Sequence, residues 1–374
     1  MLWKIREIHN TPLSFLNQVG ADWLFWGKVH VVFLSYNACM SHSPITPTSA
    51  FTDRFNRSID YLRVSVTDRC DLRCSYCIPK GFRGFEVPEH WLSFAEIARV
   101  VGAFARLGTR RFRLTGGEPL LRKGLVDLVG QLNGIDGVDD LSLSTNGTLL
   151  ATQAYALRRA GVKRLNISLD SLRGECVQRI TGSNSLEKVL HGLRMAKGAG
   201  FERIKINMVL MQDVNESDVS DMVTFCMQHG FILRLIEMMP MGATGQSMGF
   251  VDAQPILARL KNQFDLHAVH DDGLGGGPAR YWRSADGAFT MGVITPLSQH
   301  FCETCNRVRL SVDGTLYMCL GQDERFELRP MLRAGCSDSE LEAAIREAIE
   351  LKPEKHDFHE QPEKIIRFMS MTGG

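Results

Sequence analysis

From residue 61 onward the chain repeats one theme, a short β-rich run followed by a longer helical pattern, and that alternation restricts the fold more than any other feature. The β-rich runs are 61–67, 111–115, 141–145, 165–170, 204–210 and 232–237; several alternate polar with apolar residues, and most have Gly, Asp or Asn near an end. Amphipathic stretches at 94–107, 149–160 and 217–229 are long enough for crossover helices. Alternating β and α units predict a parallel sheet with right-handed crossovers. Six units are too few for a closed eight-stranded barrel. Polar residues still gather where the strands end, at Thr67, Thr115 through Glu118, Thr145 through Gly147, Asp170, Ser171 and Glu237. Strand carboxyl ends carry the site in barrels and open α/β sheets alike. The expected fold is α/β, an incomplete (β/α)6 TIM-like barrel with these residues at its mouth.

After Pro240 the pattern changes to a Gly-rich stretch at 273–277, the aromatic pair Tyr281 and Trp282, and a cysteine group, so a boundary is expected near 242–249. The expected division is an N-terminal extension at 1–52, a barrel at 53–245 and a C-terminal region at 246–374 that covers the barrel's open side. Residues 339–351 read as a helix. In the extension, 23–34 is apolar and Lys4 and Arg6 precede it, but Lys28 and His30 interrupt the run and Tyr36 stands where a cleavage site needs a small residue. Residues 1–39 are therefore read as poorly ordered and dispensable rather than as a targeting signal.

Lys plus Arg total 43 against 42 for Asp plus Glu, which removes any global attraction to nucleic acid or an anionic membrane. An anion must then be met by a local cluster of cations. No stretch approaches the ~20 apolar residues that span a bilayer. Of the ten cysteines, six fall into two tight groups, which points to metal in a reducing compartment, the cytoplasm, rather than to disulfides. Cys176, Cys226 and Cys336 are left as helix or spare thiols.

Cys70, Cys74 and Cys77 follow the first strand, where a turning loop can bring three thiolates round one centre. Structural zinc takes four ligands, whereas a cubane cluster given three cysteines keeps one iron open. A zinc site completed by His90 is the alternative. The CxxxCxxC pattern, with Tyr76 before its third cysteine, resembles that of the radical S-adenosylmethionine enzymes. In that family the open iron of a [4Fe-4S] cluster binds S-adenosyl-L-methionine and one electron yields a 5′-deoxyadenosyl radical, so the cofactor supplies the hard chemistry. Gly116-Gly117-Glu118-Pro119 is similar to the family's motif that meets the cofactor's amino group.

Cys302, Cys305 and Cys319 again supply three thiolates, and His300 could complete a zinc site, so spacing alone decides nothing. Arg307 and Arg309, which follow Cys305, are placed to grip a polyphosphate. The segment 301–320 resembles the second-cluster motif of the GTP cyclases of molybdenum cofactor biosynthesis, and the resemblance runs from about Asp53 to the terminal Gly373 and Gly374. It implies a second [4Fe-4S] cluster on Cys302, Cys305 and Cys319 that binds guanine. It implies that S-adenosylmethionine is met by Tyr76, Gly117, Ser168 and Met239, and GTP by Arg63, Arg113, Thr145, Lys205, Arg234, Arg307, Val308 and Arg309. No catalytic residue beyond the cofactors is implied. The reaction implied removes the ribose 3′ hydrogen and joins C3′ to guanine C8, giving (8S)-3′,8-cyclo-7,8-dihydroguanosine 5′-triphosphate. The implied partners are GTP, an electron donor, the next enzyme of the pathway and a second copy of the chain in a homodimer, with no nucleic acid or membrane. A radical S-adenosylmethionine enzyme that modifies peptides and a zinc-ribbon binding module are the competing readings.

Overall fold

Each sequence repeat folds as a strand followed by helix. The computed structural model describes residues 51–270, 272–358, 360 and 367–373; residues 1–50 of the expected 1–52 extension and Gly374 lie outside the described residues, whereas Phe51 is buried in the core and Thr52 bridges Ser58. Strand β1 (Tyr61–Ser65) leads to α1 (Phe94–Leu107), β2 (Arg111–Thr115), α2 (Leu125–Asn133), β3 (Asp140–Thr145), α3 (Leu150–Ala160) and β4 (Arg164–Ser168). Helices α4 (Gly174–Thr181) and α5 (Leu186–Gly198) precede β5 (Arg203–Val209), and α6 (Val219–His229) precedes β6 (Ile232–Ile236).

Helix α1 shows how local chemistry fixes an element. Ser93 accepts from the Glu96 N–H while the Glu96 side chain takes the Ser93 N–H, and Gly108 ends the helix at φ 117°. Its inward face, with Ile97, Val100, Val101 and Phe104, joins Leu62, Val64, Phe112 and Leu114 of the sheet in one core. Strands β1 to β6 pair in chain order, all parallel. Sequence and structure agree on all six strands to within a residue or two at each end.

The C-terminal region does more than cover the sheet. After α7 (Gly242–Gln246) and α8 (Ala253–Phe264) come β7 (Leu266–Val269), β8 (Arg280–Ser284), β9 (Thr290–Ile294), β10 (Arg307–Leu310), β11 (Thr315–Tyr317) and β12 (Arg325–Glu327). β9 pairs parallel with β6 and β10 parallel with β1, while β8, β7, β11 and β12 continue outward antiparallel. One twelve-stranded sheet results, ordered β12-β11-β10-β1-β2-β3-β4-β5-β6-β9-β8-β7. Helices α9 (Arg329–Arg333), α10 (Asp338–Glu350) and α11 (Met369–Thr372) complete the chain. Among the described residues no helix is long and apolar enough to cross a membrane.

The register carries a charge problem. Arg63 of β1 lies opposite Arg113 of β2 on one side and Arg309 of β10 on the other. Like charges directly opposite each other destabilise a sheet. Three arginines in one row concentrate positive charge that an anion would offset.

Candidate active site

The loop after β1 carries the first cysteine group, and the loop after β2 packs flat against it. Gly117 donates its N–H to the Thr67 carbonyl at 2.7 Å, and Glu118 donates to the Arg69 carbonyl at 2.7 Å. A Cβ at Gly116 would collide with the Thr67 carbonyl, and one at Gly117 with that of Arg69, so only glycine permits this approach. A cavity of about 1030 Å³ opens there. Cys70, Cys74 and Cys77 line it together with Tyr76, Gly117, Ser168 and Met239, so the thiols and all four residues the resemblance gives to S-adenosylmethionine face one space.

Buried carboxylates hold its walls. Glu118 accepts from Thr145 Oγ1 at 2.7 Å, Asn146 N at 2.7 Å and Leu120 N at 3.0 Å, and burial still raises its carboxyl to about 7. Asp170 takes the Tyr76 hydroxyl at 2.9 Å and Val209 N at 2.8 Å, and burial raises it to about 6. Burial pushes the Cys70 and Cys77 thiols up to about 12 and Cys74 well above its ordinary value. Thiols so desolvated stay protonated near neutrality until a metal centre displaces the proton.

A second cavity of about 910 Å³ adjoins the first, sharing Asn207, Ile236 and Met239. Cys302, Cys305 and Cys319 line it with Arg63, Arg113, Arg234, Arg307 and Arg309. Arg63 Nε is buried without a hydrogen-bond partner among the described residues, and burial followed by Arg309 and Arg113 holds its guanidinium well below the ordinary range. Arg234 donates to Asn166 Oδ1 at 2.5 Å and Asn207 Oδ1 at 2.9 Å. Burial raises the Cys305 thiol, but Arg307 and Lys352 outweigh it and hold the group at about 6. The surplus of cations lining this cavity fits a polyphosphate nucleotide.

Both cysteine sets suit multi-iron clusters. Among the described residues no three His, Cys, Asp or Glu side chains converge on a point that one ion could occupy, and a cubane needs no such point because each cysteine meets a different iron. His90 pairs with Glu86 at 3.1 Å and His300 with Glu303 at 3.3 Å, and neither histidine lines the cavity of its cysteine group.

Three of the residues the sequence assigns to GTP stand apart. Thr145 lines the first cavity. The Val308 side chain lies in the apolar core, on the face of β10 opposite Arg307 and Arg309. Lys205 lines a smaller space of about 360 Å³ beside Arg113, Arg234 and Tyr281, where it donates to the Leu274 carbonyl and to the Tyr281 hydroxyl at 3.0 Å. Burial, then Arg234 and Arg113, lowers its ammonium to about 5.

Residues 64–226 match the radical SAM superfamily and 231–358 the family described as Molybdenum Cofactor Synthesis C. Over 332 residues the chain is 43% identical to a GTP 3′,8-cyclase of Ectopseudomonas mendocina, covering 87% of this chain and 99% of that protein. A GTP 3′,8-cyclase of Marinobacter nauticus is 40% identical over 333 residues, covering 88% of this chain and 100% of its own. The chain belongs to the GTP 3′,8-cyclase family. Its fold is also that of Streptococcus suis SuiB, solved bound to S-adenosylmethionine, with a TM-score of 0.57 at 13% identity over 78% of this chain and 69% of that one. A second SuiB structure gives a TM-score of 0.55 at 13% identity, over 85% of this chain and 78% of that one.

As a member of the GTP 3′,8-cyclase family the chain also places its tail at the site. The Gly373 carbonyl accepts from Arg309 Nη1 at 2.6 Å, and a Cβ at Gly373, whose φ is 71°, would collide with the Thr115 side chain. Met369 lines the first cavity. Sequence reasoning missed Asn207, which lies two residues beyond Lys205 on the same strand face and was within reach of the alternation rule. Asn146, expected at the mouth, lines the first cavity with its Nδ2 3.8 Å from Cys70 Sγ, while Lys352, whose Nζ lies 3.5 Å from Cys305 Sγ, was missed.

Proposed function

We propose that the chain is the radical S-adenosylmethionine enzyme that cyclises GTP to (8S)-3′,8-cyclo-7,8-dihydroguanosine 5′-triphosphate in molybdenum cofactor biosynthesis. One observation carries the reading: a cavity lined by one cysteine triad adjoins a cavity lined by another triad and five arginines, with Asn207, Ile236 and Met239 as shared wall. Cys70, Cys74 and Cys77 hold one [4Fe-4S] cluster, and Cys302, Cys305 and Cys319 hold a second. Tyr76, Gly117, Ser168 and Met239 hold S-adenosylmethionine; Arg63, Arg113, Arg234, Arg307 and Arg309 hold the nucleotide, with Thr145, Lys205 and the Val308 backbone beside it. What the first cluster and S-adenosylmethionine supply when bound is a 5′-deoxyadenosyl radical, the oxidant for the ribose 3′ hydrogen.

The protein's own part is positioning. Glu118 ties the loops after β2 and β3 together, Asp170 fixes the Tyr76 ring, and the arginine row neutralises phosphate charge. The tail, pinned by Arg309, narrows the space between the cavities and limits water access. Curvature of the sheet into an incomplete barrel at 53–245 is supported by Arg63 of β1 and Arg234 of β6 lining one cavity although four strands separate them. The region 246–374 then covers the open side and supplies the second cysteine group. A reducing compartment such as the cytoplasm suits six ligand thiols. An electron donor is needed, and the next enzyme of the pathway and a second copy of the chain are the further partners of this reading.

The test is anaerobic incubation of the cluster-loaded enzyme with GTP, S-adenosylmethionine and dithionite, with products separated by mass. Formation of 5′-deoxyadenosine together with an isomer of GTP that carries a new C3′–C8 bond is expected. Cofactor cleavage that leaves GTP intact would overturn the reading.

A further inference from the structure

Lys352 stands two residues beyond the end of α10 and is 1% exposed. Its Nζ donates to the Met318 carbonyl at 2.9 Å and the Arg307 carbonyl at 3.0 Å, and lies 3.5 Å from Cys305 Sγ. Among the described residues no carboxylate pairs with it. A buried ammonium is costly unless an anion compensates it, and two carbonyls carry no net charge. Among the described residues the nearest anionic group is the Cys305 thiolate with whatever it binds, and the Cys319 thiol of the same group also feels the charge.

The segment that delivers Lys352 is stapled to the same cysteine loop. Arg57, held by Asp53 at 2.6 Å in a buried ion pair, donates to the carbonyls of Cys302 at 2.9 Å, Glu354 at 2.7 Å and Pro353 at 2.6 Å. Lys352 is thereby fixed against the second cysteine group rather than free to swing. Among the described residues the first group has no such cation: Cys70 accepts from the neutral Leu72 N–H at 3.4 Å and Asn146 Nδ2 at 3.8 Å.

We propose that Lys352 is a positioning residue for the second cluster, donating a charge-assisted N–H···S hydrogen bond to Cys305 that raises the cluster's reduction potential. One-electron reduction adds one negative charge to a cluster, and a fixed cation at a ligand sulfur favours that more negative form. Arg307 Nη2, 3.8 Å from the same sulfur, adds a longer contact.

This inference rests on Cys302, Cys305 and Cys319 holding a second cluster. The anaerobically reconstituted enzyme, Lys352→Met and Lys352→Arg are titrated with dithionite and followed by electron paramagnetic resonance, with iron and sulfide counted. The signal that S-adenosylmethionine perturbs marks the first cluster. In Lys352→Met the second midpoint should fall by the equivalent of about a tenfold change in the reduction equilibrium, about 59 mV for one electron. The first midpoint should stay, and Lys352→Arg should restore most of the difference. If Lys352→Met loses the second cluster, Lys352→Gln, which keeps a neutral donor, is expected to show the fall. An unshifted midpoint in a fully loaded neutral variant overturns the inference. About four irons and one signal in the parent overturn the two-cluster reading instead, and with it this role for Lys352.

Discussion

Lys205 shows what a single buried cation can report. With its ammonium lowered to about 5 by burial and by Arg234 and Arg113, it is largely neutral at pH 7 in the free protein. A triphosphate nearby favours the protonated form, so the bound value lies above the free one, and between the two values binding takes up a proton. Affinity therefore falls as pH rises through that window. Calorimetry in two buffers of different ionisation heat should show more proton uptake on GTP binding for the parent than for Lys205→Met. Equal uptake would separate Lys205 from the triphosphate. Gly373 poses a steric test instead. Thr115 is buried and β-branched, so it yields poorly to a Cβ placed against it, and Gly373→Ala should lower GTP conversion at least tenfold while cluster content and melting temperature stay near the parent's. The cysteine triads and the Gly116-Gly117-Glu118 turn are legible in the sequence because their spacing is local. Lys352 and Arg57 are not, since they reach Cys305 and Cys302 across 47 and 245 residues.

At the scale of elements, β10 does two jobs through one periodicity. Arg307 and Arg309 face the second cavity while Val308 and Leu310 join the core, so the strand binds with one side and folds with the other. Its period of two is readable only once the strand is known to end at Leu310. The parallel strands β1 to β6 are legible because each is five to seven residues of alternating or apolar character with a turn at its end. β11 and β12 are three residues each, and α4 is eight, too short for periodicity to separate them from loop. The two cysteine loops belong to different elements and should fail differently. Replacing Cys70, Cys74 or Cys77 with Ala should abolish S-adenosylmethionine cleavage, measured as 5′-deoxyadenosine. Replacing Cys302, Cys305 or Cys319 should abolish GTP conversion but leave some uncoupled cleavage. Identical behaviour of both sets in folded protein would sink the division of labour.

For the molecule as a whole, a net charge of +1 conceals a local excess that the fold must tolerate. Arg309, Arg63 and Arg113 stand side by side across three strands, and the central Arg63 has a buried Nε with no hydrogen-bond partner among the described residues. In the absence of an anion this row opposes folding, and with one it binds, so stability and function pull on the same residue. Arg63→Met keeps the length of the side chain and removes the charge. Its melting temperature without nucleotide should exceed the parent's by about 2 °C, the effect of roughly 1 kcal/mol in a domain of this size. With GTP the order should reverse. A ligand at a hundred times its dissociation constant stabilises the folded state by about 2.7 kcal/mol, and the variant forfeits most of that at the same concentration because its affinity is lower. Raising the salt should narrow the gap between the nucleotide-free proteins only slightly, since buried charges are weakly screened. Differential scanning calorimetry on both proteins, with and without GTP, measures all of these quantities at once. A variant that melts below the parent without nucleotide and gains as much from GTP would show that Arg63 serves the fold and not the substrate.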